Sequence, residues 1–347
     1  VSWQQPAEVP TIAEMVEQVK QTVAGLDTPI RRICTAVHRH LISAWYDETE
    51  HPPGNLIVIG PTGGGKTFMV HKVLEASGLP YIEENATQFS EVGYRGRDLA
   101  WMFNDFVTKY SDHEMKPRDT LRMAERWGVV ILDEFDKWHM TPKSQMERIG
   151  SSGRGLQAEL LKMVENDWVI TKSHEEAQGT AVQTGRFLFI AMGAFEGLDT
   201  QMQKELGDNK EFPNIYMKAE PEDLMKYGFM QELIGRFPVV VPLPPLKAEN
   251  MRMILLTTIW PRYVLEAARV GVELVGDEGA LTRIAQDAIQ KKIGARAFPS
   301  LLDAYLDRAW AEAQPGDRIV LDHAAIASWS PAGGGARVER PGALRIA

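Results

Sequence analysis

A chain of 347 residues, 44% of them hydrophobic, carries enough apolar side chain for two or three cored domains. A net charge of −9 excludes a global basic footprint for nucleic acid, leaving only a local patch open, and a single cysteine, Cys34, excludes an intramolecular disulfide or a cysteine-based zinc cluster within this chain and fits a reducing cytoplasm. No apolar run approaches about 18 residues, so neither a membrane-spanning helix nor a signal peptide is read.

In chain order, residues 1–10 contain prolines and read as irregular. Thr11 and Glu14 stand in capping-box spacing at the start of a helix, which Val23-Ala24-Gly25-Leu26-Asp27 breaks. Pro29 to Trp45 reads as a second helix, with Ile33, Val37, Leu41 and Ile42 on one face and Cys34 as a small buried apolar residue. A polar loop, 47–54, leads into the apolar run Asn55-Leu56-Ile57-Val58-Ile59, a buried strand.

Gly60-Pro61-Thr62-Gly63-Gly64-Gly65-Lys66-Thr67 follows that strand and precedes a helical pattern that ends at Gly78. It fits the phosphate-binding pattern G-x-x-x-x-G-K-[ST] in its proper strand–loop–helix context. Glycines let the backbone wrap a polyphosphate, toward which loop N–H groups and the helix N-terminus point. Lys66 is expected to reach the β- and γ-phosphates of ATP, and the Thr67 hydroxyl to hold Mg2+.

Tyr81–Asn85 reads as a strand. In Glu91-Val92-Gly93-Tyr94-Arg95-Gly96-Arg97-Asp98 two glycines flank an aromatic residue and an arginine, which makes a flexible loop with a large tip; the plainer reading of the same residues is a turn with a half-buried tyrosine. Residues 99–127 read as helical, interrupted near Pro117. The stretch Gly128-Val129-Val130-Ile131-Leu132-Asp133-Glu134 is a short apolar strand that delivers two carboxylates at its C-terminal end, the edge where ligands bind in open α/β sheets. Asp133 is expected to hold Mg2+, and Glu134 to activate the attacking water as general base.

Further on, Gly155 to Asn166 reads as an amphipathic helix, and Trp168-Val169-Ile170 and Thr180-Ala181-Val182 pair as a hairpin around a loop in which His174 reads as solvated. Phe187–Ala191 and Val239–Val241 read as buried strands, 196–222 as polar and irregular, and Leu243-Pro244-Pro245-Leu246 as a hinge. Beyond it come helices over 248–268, 277–292 and 297–313 and a strand at Arg318–Leu321. The fold class expected is α/β: a phosphate-binding large domain over 11–242, with a parallel sheet flanked by helices, then a small, mainly helical domain over 247–328 and a disordered tail over 329–347.

Together with these pieces, Leu132-Asp133-Glu134-Phe135-Asp136-Lys137, Gly193-Ala194-Phe195, Glu220-Pro221-Glu222-Asp223-Leu224, Glu232-Leu233-Ile234-Gly235-Arg236-Phe237-Pro238 and Gly294-Ala295-Arg296 stand in the same order as in the ClpX branch of the AAA+ ATPases, and the chain resembles that branch over roughly 10–325. The resemblance implies a homo-hexameric ring that hydrolyses ATP and threads a polypeptide client through a central pore. It implies that Arg236 is an arginine finger acting on the neighbouring subunit's ATP. By the same likeness Arg296 contacts the phosphates from the lid domain in cis, Val23-Ala24-Gly25 begins the adenine pocket, and Gly93-Tyr94-Arg95-Gly96 is the pore loop whose aromatic grips substrate.

The sequence also departs from that branch. The zinc-binding N-terminal domain is absent from this chain, Arg95 replaces a small apolar residue, and Met192 stands near the first sensor position. Glu175-Glu176 lie where the family has a basic loop that admits substrate. The segment before Glu220 is short and lacks the glycine-flanked apolar tripeptide that docks the ClpP protease; its only candidate tip is Ile215-Tyr216-Met217, and packing of that tip onto the large domain is the favoured reading. The expectation is therefore a cytoplasmic protein remodeller without ClpP and without a membrane partner. The alternative is a motor or loader acting on nucleic acid or a nucleoprotein complex, for which Arg95 and Arg97 would meet phosphates.

Overall fold

The structure, a computed structural model, describes residues 3–23, 25–48, 54–89, 97–113, 115–140, 152–165, 168–171, 180–207, 213–291, 293–329 and 335–340. The chain divides into two compact units. One comprises Val1–Val19, Leu26–Pro61 and Lys66–Pro244; the other comprises Lys20–Gly25, Thr62–Gly65 and Pro245–Ala347.

The first unit is built on strands β1 (Leu56–Ile59), β2 (Tyr81–Asn85), β3 (Val129–Asp133), β6 (Leu188–Gly193) and β7 (Val239–Pro242), with β4 (Trp168–Thr171) and β5 (Thr180–Gln183) forming a separate antiparallel hairpin. The five-stranded sheet has the order β2-β3-β6-β1-β7, and every pairing is parallel. All residues of β1 and β6 are buried, as are the four apolar residues of β3. Unbroken apolar runs are what a parallel sheet covered on both faces requires, which is why these strands were legible as runs rather than as alternations. The edge strand β2 alternates instead, with Ile82 and Glu84 turned inward.

Local chemistry explains the helix ends. Thr11 and Glu14 cap α1 (Ile12–Lys20) reciprocally: the Thr11 N–H donates to Glu14 Oε2 at 2.8 Å, and the Glu14 N–H to Thr11 Oγ1 at 3.2 Å. Helix α2 (Asp27–Trp45) begins two residues before Pro29, because a proline in the first turn lacks only an N–H that has no helical partner anyway. Helix α3 (Lys66–Ser77) stops at Gly78, which takes φ +69° and closes the last turn on Leu74 O.

The stretch 196–222, expected to be irregular, contains a helix at Leu198–Leu206, a 3-10 turn at Ile215–Lys218 and the start of a helix at Pro221–Tyr227. Its apolar residues are too sparse for a visible period, but Leu198, Met202, Ile215 and Tyr216 all reach the core. Asp223 helps by accepting the Glu220 N–H at 2.9 Å, which caps the last of these helices.

The second unit packs helices Trp260–Arg269, Glu278–Gln290 and Ala297–Glu312 around Ile284, Phe298, Leu302, Leu306 and Ile319. The helix expected over 248–268 is divided: Ala248–Ile254 passes into a π turn, Leu255–Ile259, before Trp260. Pro261 has no N–H to give to the preceding turn, so the ladder is interrupted there. This unit also holds a small sheet of order β10-β9-β8, formed by β8 (Glu273–Gly276), β9 (Arg318–Leu321) and β10 (Arg337–Glu339). The expectation of a disordered tail from 329 is corrected here for the described residues. Arg337–Glu339 pairs antiparallel with β9, and Arg337 pairs with Asp322 and Glu339.

His40 on α2 is 2% exposed, and its Nε2 has no hydrogen-bond partner among the described residues. Burial is the main cause that pushes its imidazole down to about 4, with the nearby Arg186 charge adding to it against the carbonyl groups of Trp127 and Gly128. Folding therefore selects the neutral ring. The stability this carries is complete above the unfolded pKa of about 6.5 and is lost as pH falls toward the folded value, by up to about 3 kcal/mol. The expected outcome is a melting temperature that declines between pH 7 and pH 4.5 in the wild type and declines less steeply in His40→Gln, read by thermal denaturation across that range.

Candidate active site

The parallel register brings strand ends from distant parts of the sequence to one edge. Ile59 lies opposite Gly193 on one side and Pro242 on the other, while Asn85 lies opposite Asp133. The chain leaving β1 is pinned on both sides: the Gly60 N–H donates to Gly193 O at 3.2 Å, and the Leu243 N–H donates to Ile59 O at 2.7 Å. A β-carbon on Gly60 would come within 2.9 Å of the Leu243 β-carbon, so only glycine fits there. Gly63 and Gly65 take φ +71° and +84°, the left-handed turns that curl the loop back on itself.

Lys66 opens α3 and is buried. Its Nζ donates to Gly60 O at 2.7 Å and Pro61 O at 3.1 Å, which holds the ammonium against the loop. Thr67 follows, and its Oγ1 donates to Asp133 Oδ2 at 3.3 Å. A hydroxyl and a carboxylate at that spacing suit a small hard cation between them. The other Asp133 oxygen, Oδ1, accepts the Glu134 N–H at 2.8 Å.

Glu134 takes φ +56° and ψ +30°, a left-handed conformation that costs a non-glycine residue roughly 1–2 kcal/mol. The turn is held because Phe135 and Trp138, on the 3-10 turn just after it, are anchored in the core, with Phe135 stacked on Phe229 at 4.8 Å. The result leaves the Glu134 side chain exposed beside the half-buried Asp133, where a carboxylate can take a proton from water.

Two positioning groups escaped the sequence reading. Asp136 is 2% exposed; its Oδ1 accepts the Ala194 N–H at 3.2 Å and lies 2.4 Å from where a Gly193 β-carbon would stand. It locks the ends of β3 and β6 together. Asn55, buried before β1, accepts the Phe189 N–H at 2.9 Å and donates to Arg236 O at 3.1 Å. A polar residue heading an otherwise apolar strand was the available signal.

Arg236 stands apart from the phosphate loop. It lines a cavity of about 1000 Å³ with His38, Arg39, Arg126 and Arg186, and none of Lys66, Thr67, Asp133 or Glu134 lines that cavity. Its guanidinium donates twice to Glu165 Oε1, from Nε at 3.0 Å and from Nη2 at 2.6 Å. Arg296 is exposed on the 3-10 turn Gly294–Arg296 of the second unit, and Val23 is buried. Ala24 and the whole Gly93-Tyr94-Arg95-Gly96 motif lie outside the described residues, as does the 173–179 loop.

A buried lysine against a glycine loop, with threonine and aspartate facing each other at a parallel sheet edge, defines a nucleoside-triphosphate hydrolase. Residues 51–240, more than half of the chain, match the family model of the AAA domain (Cdc48 subfamily), and the chain belongs to that family. It is similar to the ATP-dependent Clp protease ATP-binding subunit ClpX 3 of Methylococcus capsulatus, with 29% identity over 341 residues, covering 88% of this chain and 77% of that one. The ClpX subunit of Treponema denticola is 28% identical over 335 residues, covering 88% and 78%, and that of Porphyromonas gingivalis 27% over 343 residues, covering 91% and 82%. This is a ClpX-like AAA+ ATPase.

Two substitutions separate binding from chemistry. Lys66→Ala removes the cation nearest the loop and is expected to abolish tight ATP binding in an equilibrium nucleotide-binding assay. Glu134→Gln leaves the Thr67–Asp133 pair intact and is expected to bind ATP at near wild-type affinity while hydrolysing it at least about 100-fold more slowly, the scale of a lost general base. Hydrolysis by Glu134→Gln at the wild-type rate, measured as phosphate release, would remove Glu134 from that role.

Proposed function

We propose that this ATPase is a ring-forming, cytoplasmic remodeller that threads or disassembles a protein client, and that it works without a ClpP-type protease. The observation that carries the reading is the Thr67–Asp133–Glu134 edge within a chain similar to ClpX subunits over nearly its whole length. Lys66 and the loop N–H groups hold the ATP phosphates, Val23 and Ala24 flank the adenine, and Thr67 and Asp133 hold Mg2+. That ion, when bound, screens phosphate charge. Glu134 takes the proton of the attacking water. Arg296 meets the phosphates in cis.

Arg236 acts in trans on a neighbouring subunit's ATP. Its separate, arginine-rich cavity supports this, because a finger serving another subunit needs no access to its own loop. The ion pair with Glu165 is half-exposed on both sides, so it is worth only about 0.2–1 kcal/mol and yields readily to a phosphate. Arg236→Ala is expected to bind ATP and fail to hydrolyse it. Mixed with Lys66→Ala in co-assembled rings it is expected to regain activity, since each subunit supplies what the other lacks. Absence of rescue in rings shown to contain both would count against a trans role.

Tyr94 is the proposed grip on the client, with Gly93, Arg95 and Gly96 around it. For the nucleic-acid alternative Arg97 is a poor phosphate contact, because its guanidinium is already taken up by Glu84 and Asp105. The polymer that stimulates ATP hydrolysis distinguishes the two: unfolded polypeptide is the expected activator, whereas stimulation by single-stranded nucleic acid that collapses with added salt would favour the alternative.

Against a protease partner, Ile215 and Tyr216 are buried, Met217 packs against the same core, and Tyr216 Oη donates to Leu243 O at 2.8 Å. Those side chains are engaged inside the first unit. Co-sedimentation of the ATP-bound ring with a ClpP-type protease from the same source is expected to fail; a complex lost on mutating Ile215-Tyr216-Met217 to serine would reverse this.

A further inference from the structure

The cavity that Arg236 lines belongs wholly to the first unit and is unevenly charged. Four arginines, Arg39, Arg126, Arg186 and Arg236, line it against two glutamates, Glu48 and Glu165. The four are not equivalent. Arg126 donates from Nε to Ala44 O at 2.6 Å and from Nη2 to Trp45 O at 3.0 Å, and so closes the end of α2. Arg186 donates from Nη2 to Asp47 Oδ1 at 2.6 Å. Arg236 is held by Glu165. Arg39 is exposed and makes no hydrogen bond or ion pair among the described residues. It stands one turn before Ser43 on α2, and both line the cavity.

His40 supplies a second observation. It lines the same cavity, is 2% exposed, and its Nε2 has no partner among the described residues. Burial is the main cause that keeps its ring neutral, and the Arg186 charge adds to it. The excess positive charge is thus felt inside the wall. Guanidinium groups gathered round one hollow repel one another, and an anion entering it relieves that repulsion. At about 1000 Å³ the cavity has room for a phosphate chain.

We propose that Arg39 is a phosphate-binding residue that acts, beside Arg236, on the ATP of the neighbouring subunit. This rests on the trans role proposed for Arg236, whose cavity Arg39 shares. Among the described residues no group fixes the direction of the Arg39 guanidinium, so its pull on the triphosphate is the same before the reaction and during it. Such uniform binding lowers KM and leaves kcat alone. Arg39 is also exposed, so added salt screens its contribution.

The test uses rings in which one kind of subunit cannot bind ATP. Wild-type subunits are co-assembled with an excess of Lys66→Ala, Lys66→Ala/Arg39→Gln or Lys66→Ala/Arg236→Ala donors, and the mixed composition is verified by native mass. Hydrolysis at the wild-type sites is then measured against ATP concentration. Relative to Lys66→Ala donors, the Arg39→Gln donors are expected to raise KM about five-fold or more while kcat moves by less than about two-fold. That difference is expected to shrink as salt is added, and Arg39→Lys in the donor to restore most of the affinity. The Arg236→Ala donors are expected to lower kcat instead. An unchanged KM with Arg39→Gln donors, while Arg236→Ala donors lower kcat, would overturn the role of Arg39 and leave the finger standing. A kcat that falls as far as KM rises would overturn uniform binding. Arg39→Gln donors that stay out of rings that Lys66→Ala donors enter would make Arg39 a support of assembly and overturn the inference too. If the Arg236→Ala donors leave the wild-type sites unaltered, the trans reading falls and this inference with it.

Discussion

Parallel register is the constraint on which the rest of the molecule depends. Five strands running in one direction gather their C-terminal ends at a single edge, and the ends of β1, β3, β6 and β7 are tied to one another there. Ile59 opens into the glycine loop, Asp133 faces Thr67, Gly193 receives Gly60 and crowds Asp136, and Pro242 leads to Leu243, which closes on Ile59. Such a sheet is stable only when both faces are covered, so the apolar runs of β1, β3 and β6 and the helices over them are a condition of the chemistry. A one-residue slip of β3 against β2 would turn Asp133 to the opposite face and separate it from Thr67.

Charge is handled differently at different depths. The Arg236–Glu165 pair lies half in solvent and can be exchanged for another anion at little cost. The Glu84–Arg97 pair has its carboxylate buried, where removing one partner strands the other in a poor solvent for charge. The first arrangement opens easily; the second resists opening. Lys66 is a third case, a buried ammonium that donates to the carbonyl oxygens of Gly60 and Pro61 and is so held against the loop.

Legibility in the sequence followed the range of the interactions. Helix α1 could be placed because Thr11 and Glu14 cap each other three residues apart, and the hairpin β4–β5 because its two apolar runs are close in sequence. The segment 196–222 was opaque because its few apolar residues are placed by the core they join rather than by a period along the chain. Strand β8 lies between helices and is short, and β10 has no apolar pattern; each exists because β9 offers it an edge. The π turn before Trp260 is a compromise between a helix-forming stretch and Pro261.

For this protein the sequence alone determined the nucleotide chemistry. Gly60 to Thr67 and Asp133-Glu134 are contiguous patterns whose meaning lies in local backbone geometry and in the order strand, loop, helix. The tertiary structure decided what those patterns meet. The 3.3 Å approach of Thr67 to Asp133, the grip of Asn55 on Arg236, the lock of Asp136 on Gly193 and the bond from Arg97 to Glu84 join residues between 13 and 181 positions apart. Spacing in a chain constrains neighbours through a few stiff dihedrals. Across such separations only the packing of the sheet and its covering helices sets which atoms come within reach.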